Sequence, residues 1–132
     1  MASVLFFLVG SLTFFVGCIS PKKDVCPEKF MNAKQFLYLE GGRLANKGFF
    51  IKDSVHLEYS GGMLYSESII RWKGCFEYVL YIKRTYFDGA GLKEGDTLSV
   101  KILEVRKDTL MCIASASGHS FPVNFLKSKM QQ

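Results

Sequence analysis

Four cysteines and two histidines are the side chains of this 132-residue chain best suited to covalent, metal or acid–base chemistry. A cysteine can carry a lipid, form a disulfide or act as a nucleophile, and a histidine can act as a base or bind a metal. They are Cys18, Cys26, Cys75, Cys112, His56 and His119. Zinc sites require closely spaced ligand pairs. The last three cysteines lie too far apart for that pattern, so we expect no metal site.

The histidines lack the neighbours of a catalytic site. His56 alternates with Val55, Leu57 and Tyr59, which places it on the polar face of a strand, and His119 follows a glycine turn. We therefore expect both histidines on the surface. The stretch Asp88-Gly-Ala-Gly91 lacks the Lys-Ser/Thr that follows a phosphate-binding loop. The sequence thus predicts no catalytic residue and no cofactor.

Cys18 ends an apolar N-terminal segment. Ala2 to Ile19 contains no charged residue, and Gly17 precedes the cysteine. This pattern predicts a lipoprotein signal peptide over residues 1–17 with lipid attachment at Cys18. A plain secretory signal and an uncleaved helix are the alternatives. An uncleaved helix followed by Lys22 and Lys23 would favour a domain facing the cytoplasm.

The remaining cysteines are odd in number. With Cys18 lipidated, an oxidising compartment would leave one pair and one free thiol among Cys26, Cys75 and Cys112. Cys112 lies between Met111 and Ile113 in an apolar strand, which favours a buried, unreactive thiol.

The net charge is +5, and the basic residues are scattered rather than clustered. No run of five or six like charges occurs, so we expect no nucleic-acid partner. Mild attraction to anionic lipid headgroups remains compatible with this charge.

Apolar and polar residues alternate with period two between glycine turns from residue 34 onward. About eight short strands follow, and no helix-length crossovers separate them, so the strands must pair antiparallel. The sequence predicts an all-β domain over residues 34–132, an up-and-down meander that forms a small barrel or a two-layer sandwich. Residues 18–33 are expected to be a tether, and a bulge is expected at Leu103 to Val105.

Aromatic residues are abundant in the strands. A meander can hold one apolar ligand in a cavity lined by such side chains. Four are candidates for ligand or partner contact: Tyr59, Trp72, Tyr78 and Tyr81. A solid core is the favoured prediction, because eight short strands leave little room inside.

The chain from Cys26 to Lys127 resembles a group of small Bacteroidota lipoproteins. The resemblance lies in Cys26 and Phe36-Leu-Tyr38, in Ile70-Arg-Trp72 with Cys75-Phe-Glu-Tyr78, and in Gly95-Asp-Thr-Leu-Ser-Val100. It implies a lipocalin-like β-meander with no established activity. It also implies a cysteine at each of positions 26 and 75. Both flank apolar β segments, so this pair is the expected disulfide.

These observations predict a lipoprotein anchored in the bacterial cell envelope, at the outer membrane or the periplasmic face. It would be a non-enzymatic module that contacts an envelope protein or holds a small apolar molecule. A hydrolase-like envelope enzyme is the alternative, and it would require His119 beside a carboxylate and a serine or cysteine.

Overall fold

The computed structural model describes residues 26–87 and 91–128, which form one short helix and eight strands. The predicted signal peptide, Cys18 and most of the Asp88–Gly91 loop lie outside the described residues. No helix within the described ranges is long and apolar enough to cross a membrane. The elements are α1 (Pro27–Phe30), β1 (Lys34–Glu40), β2 (Arg43–Lys52), β3 (Val55–Ser60), β4 (Met63–Gly74), β5 (Glu77–Thr85), β6 (Thr97–Arg106), β7 (Thr109–Ala116) and β8 (His119–Ser128).

Each strand pairs antiparallel with the next, and β8 pairs with β1 to close the barrel. This confirms the all-β meander and selects the barrel over the sandwich. The connections β1–β2, β3–β4, β5–β6 and β7–β8 share one end, which we call the open end. The other three connections and α1 lie at the opposite end, which we call the closed end.

Two open-end connections are tight glycine hairpins. Gly41 and Gly42 have φ values of 58° and 77°, and Gly61 and Gly62 have 60° and 79°. Two-residue hairpins with positive φ at both positions match the twist of the flanking strands. The glycine pairs therefore fix where β1, β2, β3 and β4 reverse.

The expected bulge in β6 is confirmed. The pairing of β6 with β7 shifts register between Ile102 and Glu104. Further register shifts occur in β1, β3 and β4. Bulges increase local twist and bend, which helps a short sheet close on itself.

The hydrophobic core occupies the half of the barrel nearer the closed end. Phe36, Phe49 and Phe125 pack there with ring centroids 4.9–5.5 Å apart, Phe36 stacked on Phe49 and Phe125 edge-on to both. Met31, which is 0% exposed, follows α1 and covers this core. Residues 26–33, assigned to the tether by the sequence, thus form the lid of the closed end and belong to the domain.

A disulfide joins this lid to the connection between β4 and β5. Cys26 and Cys75 are bonded, with Cα atoms 4.8 Å apart, and the amide of Glu28 donates a hydrogen bond to the Cys75 carbonyl. Cys112 is free and buried. The predicted pairing and the predicted buried thiol are both confirmed.

Candidate functional site

A cavity of about 500 Å³ occupies the half of the barrel nearer the open end. The prediction of a solid core is therefore wrong for this half. The inward side chains of β3 and β4 are small or polar in this half and leave space in the interior, whereas aromatic side chains fill the interior nearer the closed end. The cavity reaches the rim, because the exposed residues Glu40, Lys47 and Phe121 also line it.

One side of the cavity is apolar. It is formed by inward-facing residues of β5 to β8, where alternate positions on each strand face the interior. These residues are Leu80, Ile82, Leu98, Val100, Ala114, Phe121, Val123 and Phe125. Such a surface favours contact with a hydrocarbon or an aromatic ring.

The other side carries a group of polar side chains that we call the polar wall. It consists of Tyr38, His56, Glu58, Ser66 and Ser68. In the ladder between β3 and β4, Glu58 lies opposite Ser66 and His56 lies opposite Ser68. The register of one hairpin therefore assembles four of the five members.

Glu58 is the centre of the polar wall. The Tyr38 hydroxyl donates a hydrogen bond of 2.6 Å to Oε1 of Glu58, and Ser66 Oγ donates one of 3.3 Å to Oε2. Within the part of the chain that the structure describes, the ion pairs are Lys83–Glu67 and Arg106–Glu104, and neither includes Glu58. The carboxylate thus faces the cavity with neutral donors beside it.

His56 lies deeper and is 2% exposed. Its ring stacks on Phe49 with centroids 4.6 Å apart. Burial lowers the pKa of His56 from 6.5 to about 4, because the protonated ring would lose its hydration. At neutral pH His56 is therefore an uncharged imidazole.

Two buried polar atoms of the polar wall have no hydrogen-bond partner among the described residues. They are Nδ1 of His56 and Oγ of Ser68. A buried polar group without a partner costs about 1–3 kcal/mol, so such atoms are uncommon in folded proteins. A ligand that hydrogen-bonds to either atom would recover part of that cost.

The Tyr38 and Tyr78 phenols and the Cys112 thiol are held in their neutral forms. Burial, together with the negative charge of Glu58, raises the pKa of Tyr38 well above 10. Burial is the largest cause that raises the pKa of Tyr78, and the nearby Cys112 and Glu58 raise it further. Burial raises the pKa of the Cys112 thiol to about 12. These groups act as hydrogen-bond donors or apolar contacts rather than as nucleophiles.

The four aromatic candidates separate into different places. Tyr59 and Tyr78 line the cavity. Trp72 lies nearer the closed end and packs on Tyr78 at 4.9 Å between ring centroids. Tyr81 is 41% exposed on the outer surface, with the Arg71 guanidinium 5.4 Å above its ring, so it cannot contact a ligand inside the barrel.

The prediction of a surface position is wrong for His56 and right for His119, which is exposed at the start of β8. The alternation in β3 identifies two faces correctly, but the face with Val55 and Leu57 points outward and the face with His56 and Glu58 points inward. The period alone does not say which face is inside.

A signal in β4 could have found the polar wall. Ser66 and Ser68 alternate in phase with Ile70 and Trp72, and large apolar residues at this spacing indicate the inward face of a strand. Residues that lie opposite each other in an antiparallel ladder point to the same side of the sheet. Because His56 pairs with Ser68 and Glu58 with Ser66, both also face inward.

A cluster with metal-ligand spacing occurs at the closed end and is the disulfide itself. It comprises Cys26, Glu28 and Cys75. The two sulfurs are bonded to each other, so they are not available as thiolate ligands.

Exposed apolar side chains surround the open end. Met63 begins β4, Tyr86 and Phe87 follow β5, and Phe87 stacks on Tyr65 at 5.6 Å between centroids. Leu44 and Phe121 are also exposed near the ends of their strands. We call these residues the apolar rim: Leu44, Met63, Tyr86, Phe87 and Phe121.

Comparisons with protein-family models, with curated proteins and with solved structures find no match to this chain. A barrel architecture by itself does not specify an activity. The cavity, the polar wall and the apolar rim are therefore the basis for assigning a function.

Proposed function

We propose that this protein is an envelope lipoprotein whose barrel binds one small, mainly apolar molecule and performs no chemistry on it. The observation that carries the proposal is the cavity of about 500 Å³ with one apolar side and one polar wall. Ligand pockets range over about 300–1,000 Å³ and combine apolar walls with a few polar groups that orient the ligand.

The polar wall is better suited to binding than to hydrolysis. A nucleophilic serine requires a base that accepts its proton. Ser68 Oγ has no hydrogen bond to His56, and a histidine with a pKa of about 4 is a weak base. Ser66 Oγ donates to Glu58, but a carboxylate is ordinarily a weaker base than the imidazole of a serine–histidine pair. His119, on which the hydrolase alternative rested, is exposed at the start of β8 and does not line the cavity.

The apolar rim supports the same proposal because it provides a route for an apolar molecule. Met63 is 60% exposed and Phe121 lines the cavity while remaining exposed. A ligand that leaves a membrane or a carrier would contact these side chains before it enters the barrel. Clustered exposed apolar groups mark interaction sites in soluble domains.

The disulfide supports a location outside the cytoplasm. Disulfides persist in oxidising compartments such as the periplasm and are rare in the cytosol. This favours an exported domain over the alternative of a cytoplasmic domain on an uncleaved helix. The apolar stretch from Ala2 to Ile19 supplies an export signal, and Cys18 the lipid attachment site.

A lipid on Cys18 would join the barrel at its closed end, because Cys26 is fixed there by the disulfide. Eight residue steps separate Cys18 from Cys26 and span at most about 28 Å. The anchor and the cavity entrance would thus lie at opposite ends of the barrel. Intact-mass analysis of membrane-extracted protein should show loss of residues 1–17 and added acyl mass, and detection of Met1 would contradict lipidation.

Ligand binding is tested with the neutral fluorophore N-phenyl-1-naphthylamine, whose emission rises in apolar surroundings. We expect saturable binding to the wild-type protein. Ala114→Phe fills the cavity from β7 and should weaken binding by at least about tenfold, a loss of about 1.4 kcal/mol.

The matched control is Ile113→Phe, which adds an aromatic ring at the neighbouring outward position of the same strand. It should leave the affinity unchanged. Equal binding by the wild type and Ala114→Phe would place the probe on the apolar rim or another surface, and no binding by the wild type would contradict the proposal.

A further inference from the structure

We propose that the molecule bound in the cavity is a lipophilic amine, with its protonated nitrogen held by Glu58. This inference rests on the proposed binding function and specifies the chemistry of the ligand. Its basis is a carboxylate that faces the cavity and forms no ion pair with another described residue.

The position of Glu58 is set by the barrel. Glu58 lies on the inward face of β3, opposite Phe49 of β2 and Ser66 of β4. The hydrogen bonds from Tyr38 and Ser66 hold one carboxylate oxygen each. An ionised carboxylate offers about four lone-pair positions, so acceptor capacity remains for a donor that enters from the cavity.

The local electrostatics favour a cation. Lys47 also lines the cavity, but it is exposed, pairs in register with Ser60 nearer the rim, and forms no ion pair with Glu58. His56 is neutral at pH 7. A charge in a partly apolar environment is stabilised most by a partner of opposite charge at hydrogen-bond distance.

The remaining members of the polar wall are compatible with an ammonium group. A primary ammonium has three donors. Besides Glu58, the Ser68 hydroxyl and the neutral imidazole of His56 can each accept a hydrogen bond, and both have an atom without a partner among the described residues. His56 lies two residues along β3 from Glu58, about 6.6 Å of strand.

The same arrangement disfavours an anionic ligand such as a fatty acid. A carboxylate head at the polar wall would face Glu58, and like charges at close range are unfavourable in a medium of low dielectric constant. The net charge of the chain is +5, which by itself attracts anions. A preference for amines would therefore reflect Glu58 and not the overall charge.

The test is displacement of N-phenyl-1-naphthylamine at pH 7 by three ligands of equal chain length: decylamine, decanol and decanoate. Each is used below its micelle-forming concentration. We expect decylamine to displace the probe at a concentration at least about tenfold below that of decanoate, because a close pair of opposite charges stabilises the complex. Decanol should lie between them.

Glu58→Gln removes the charge and keeps the size of the side chain. In this variant decylamine should lose at least about tenfold in affinity, decanoate should gain, and decanol should change little. The matched control is Glu67→Gln on the outward face of β4, where Glu67 pairs with Lys83 at 3.9 Å. It makes the same change in net charge and should leave the order of the three ligands unaltered.

Probe binding without an amine preference, or a preference for decanoate, would overturn this inference and leave the binding function intact. Loss of amine preference in both variants would assign the effect to overall charge and would also overturn it. If Glu58→Gln does not fold, the wild-type ranking of the three ligands decides. Failure of the wild type to bind the probe is the separate outcome that contradicts the proposed function.

Discussion

Tyr38 and Glu58 meet across a strand that lies between theirs. Tyr38 belongs to β1 and Glu58 to β3, with β2 separating them in the sheet, yet the Tyr38 hydroxyl lies 2.6 Å from Glu58 Oε1. The Tyr38 ring packs against Phe49 of β2 at 5.6 Å between centroids. The curvature of the closed barrel therefore lets a side chain reach over its neighbouring strand and join the aromatic core to the polar wall.

The first prediction concerns this hydrogen bond. Tyr38→Phe should lower the free energy of unfolding by about 1.5–3 kcal/mol, because hydrogen bonds to charged groups are stronger than neutral ones. Chemical denaturation at pH 7 measures the change. A cycle with Tyr38→Phe, Glu58→Gln and the double variant should give a coupling of at least about 0.5 kcal/mol. Additive effects would mean that the two side chains do not interact in solution.

Much of the fold follows from the sequence, and the polar wall shows where such reasoning stops. The period-two pattern that begins at residue 34 coincides with the start of β1, and the glycine turns locate the hairpins. The first half of β2 does not follow from the sequence, because Arg43 to Lys47 is mostly exposed near the rim and lacks apolar alternation. Hydrophobic patterning assigns apolar residues to the interior and polar residues to the surface. It therefore assigns polar side chains that line an internal cavity to the wrong face.

The second prediction concerns pH. His56 has a pKa of about 4 in the folded protein and an ordinary value of 6.5 when exposed. Between these values the unfolded chain binds the proton more readily, so His56 lowers stability as the pH falls through this window and has no effect above it. The change amounts to roughly 3 kcal/mol.

Denaturation midpoints between pH 7 and pH 4 test this dependence. His56→Gln should flatten the loss of stability between pH 6.5 and 4 relative to the wild type. His119→Gln, at the exposed histidine, should retain the wild-type slope. If stability falls equally with pH in all three proteins, the pKa of His56 is not lowered by burial and this prediction is wrong.

The third prediction concerns the lid of the closed end. The Cys26–Cys75 disulfide closes a loop with a sequence separation of 49 residues. Replacing both cysteines by serine should lower the free energy of unfolding by about 3–4 kcal/mol, since the unfolded chain is no longer restricted. Reductant should destabilise the wild type by a similar amount and leave the double variant unaffected. An equal effect of reductant on both proteins would contradict a disulfide origin.

The fourth prediction concerns the close approach of β1 and β2. A Cβ atom on Gly48 would lie 2.3 Å from the carbonyl oxygen of Phe36, a backbone atom that cannot move aside without disturbing the ladder. Gly48→Ala should therefore lower the free energy of unfolding by about 1–3 kcal/mol, as other overpacked sites do.

Gly74 offers the matched control for this substitution. It also lies in a strand, its φ is not in the left-handed region, and a Cβ there would have no atom within 4 Å. Gly74→Ala should leave stability unchanged or raise it by about 0.4–1 kcal/mol, because alanine restricts the unfolded chain. The denaturation midpoint should thus fall for Gly48→Ala and stay unchanged or rise for Gly74→Ala. Equal destabilisation would mean that the cost comes from losing glycine in a strand, whereas a loss confined to Gly48→Ala identifies the contact with Phe36 as the reason that this position has no side chain.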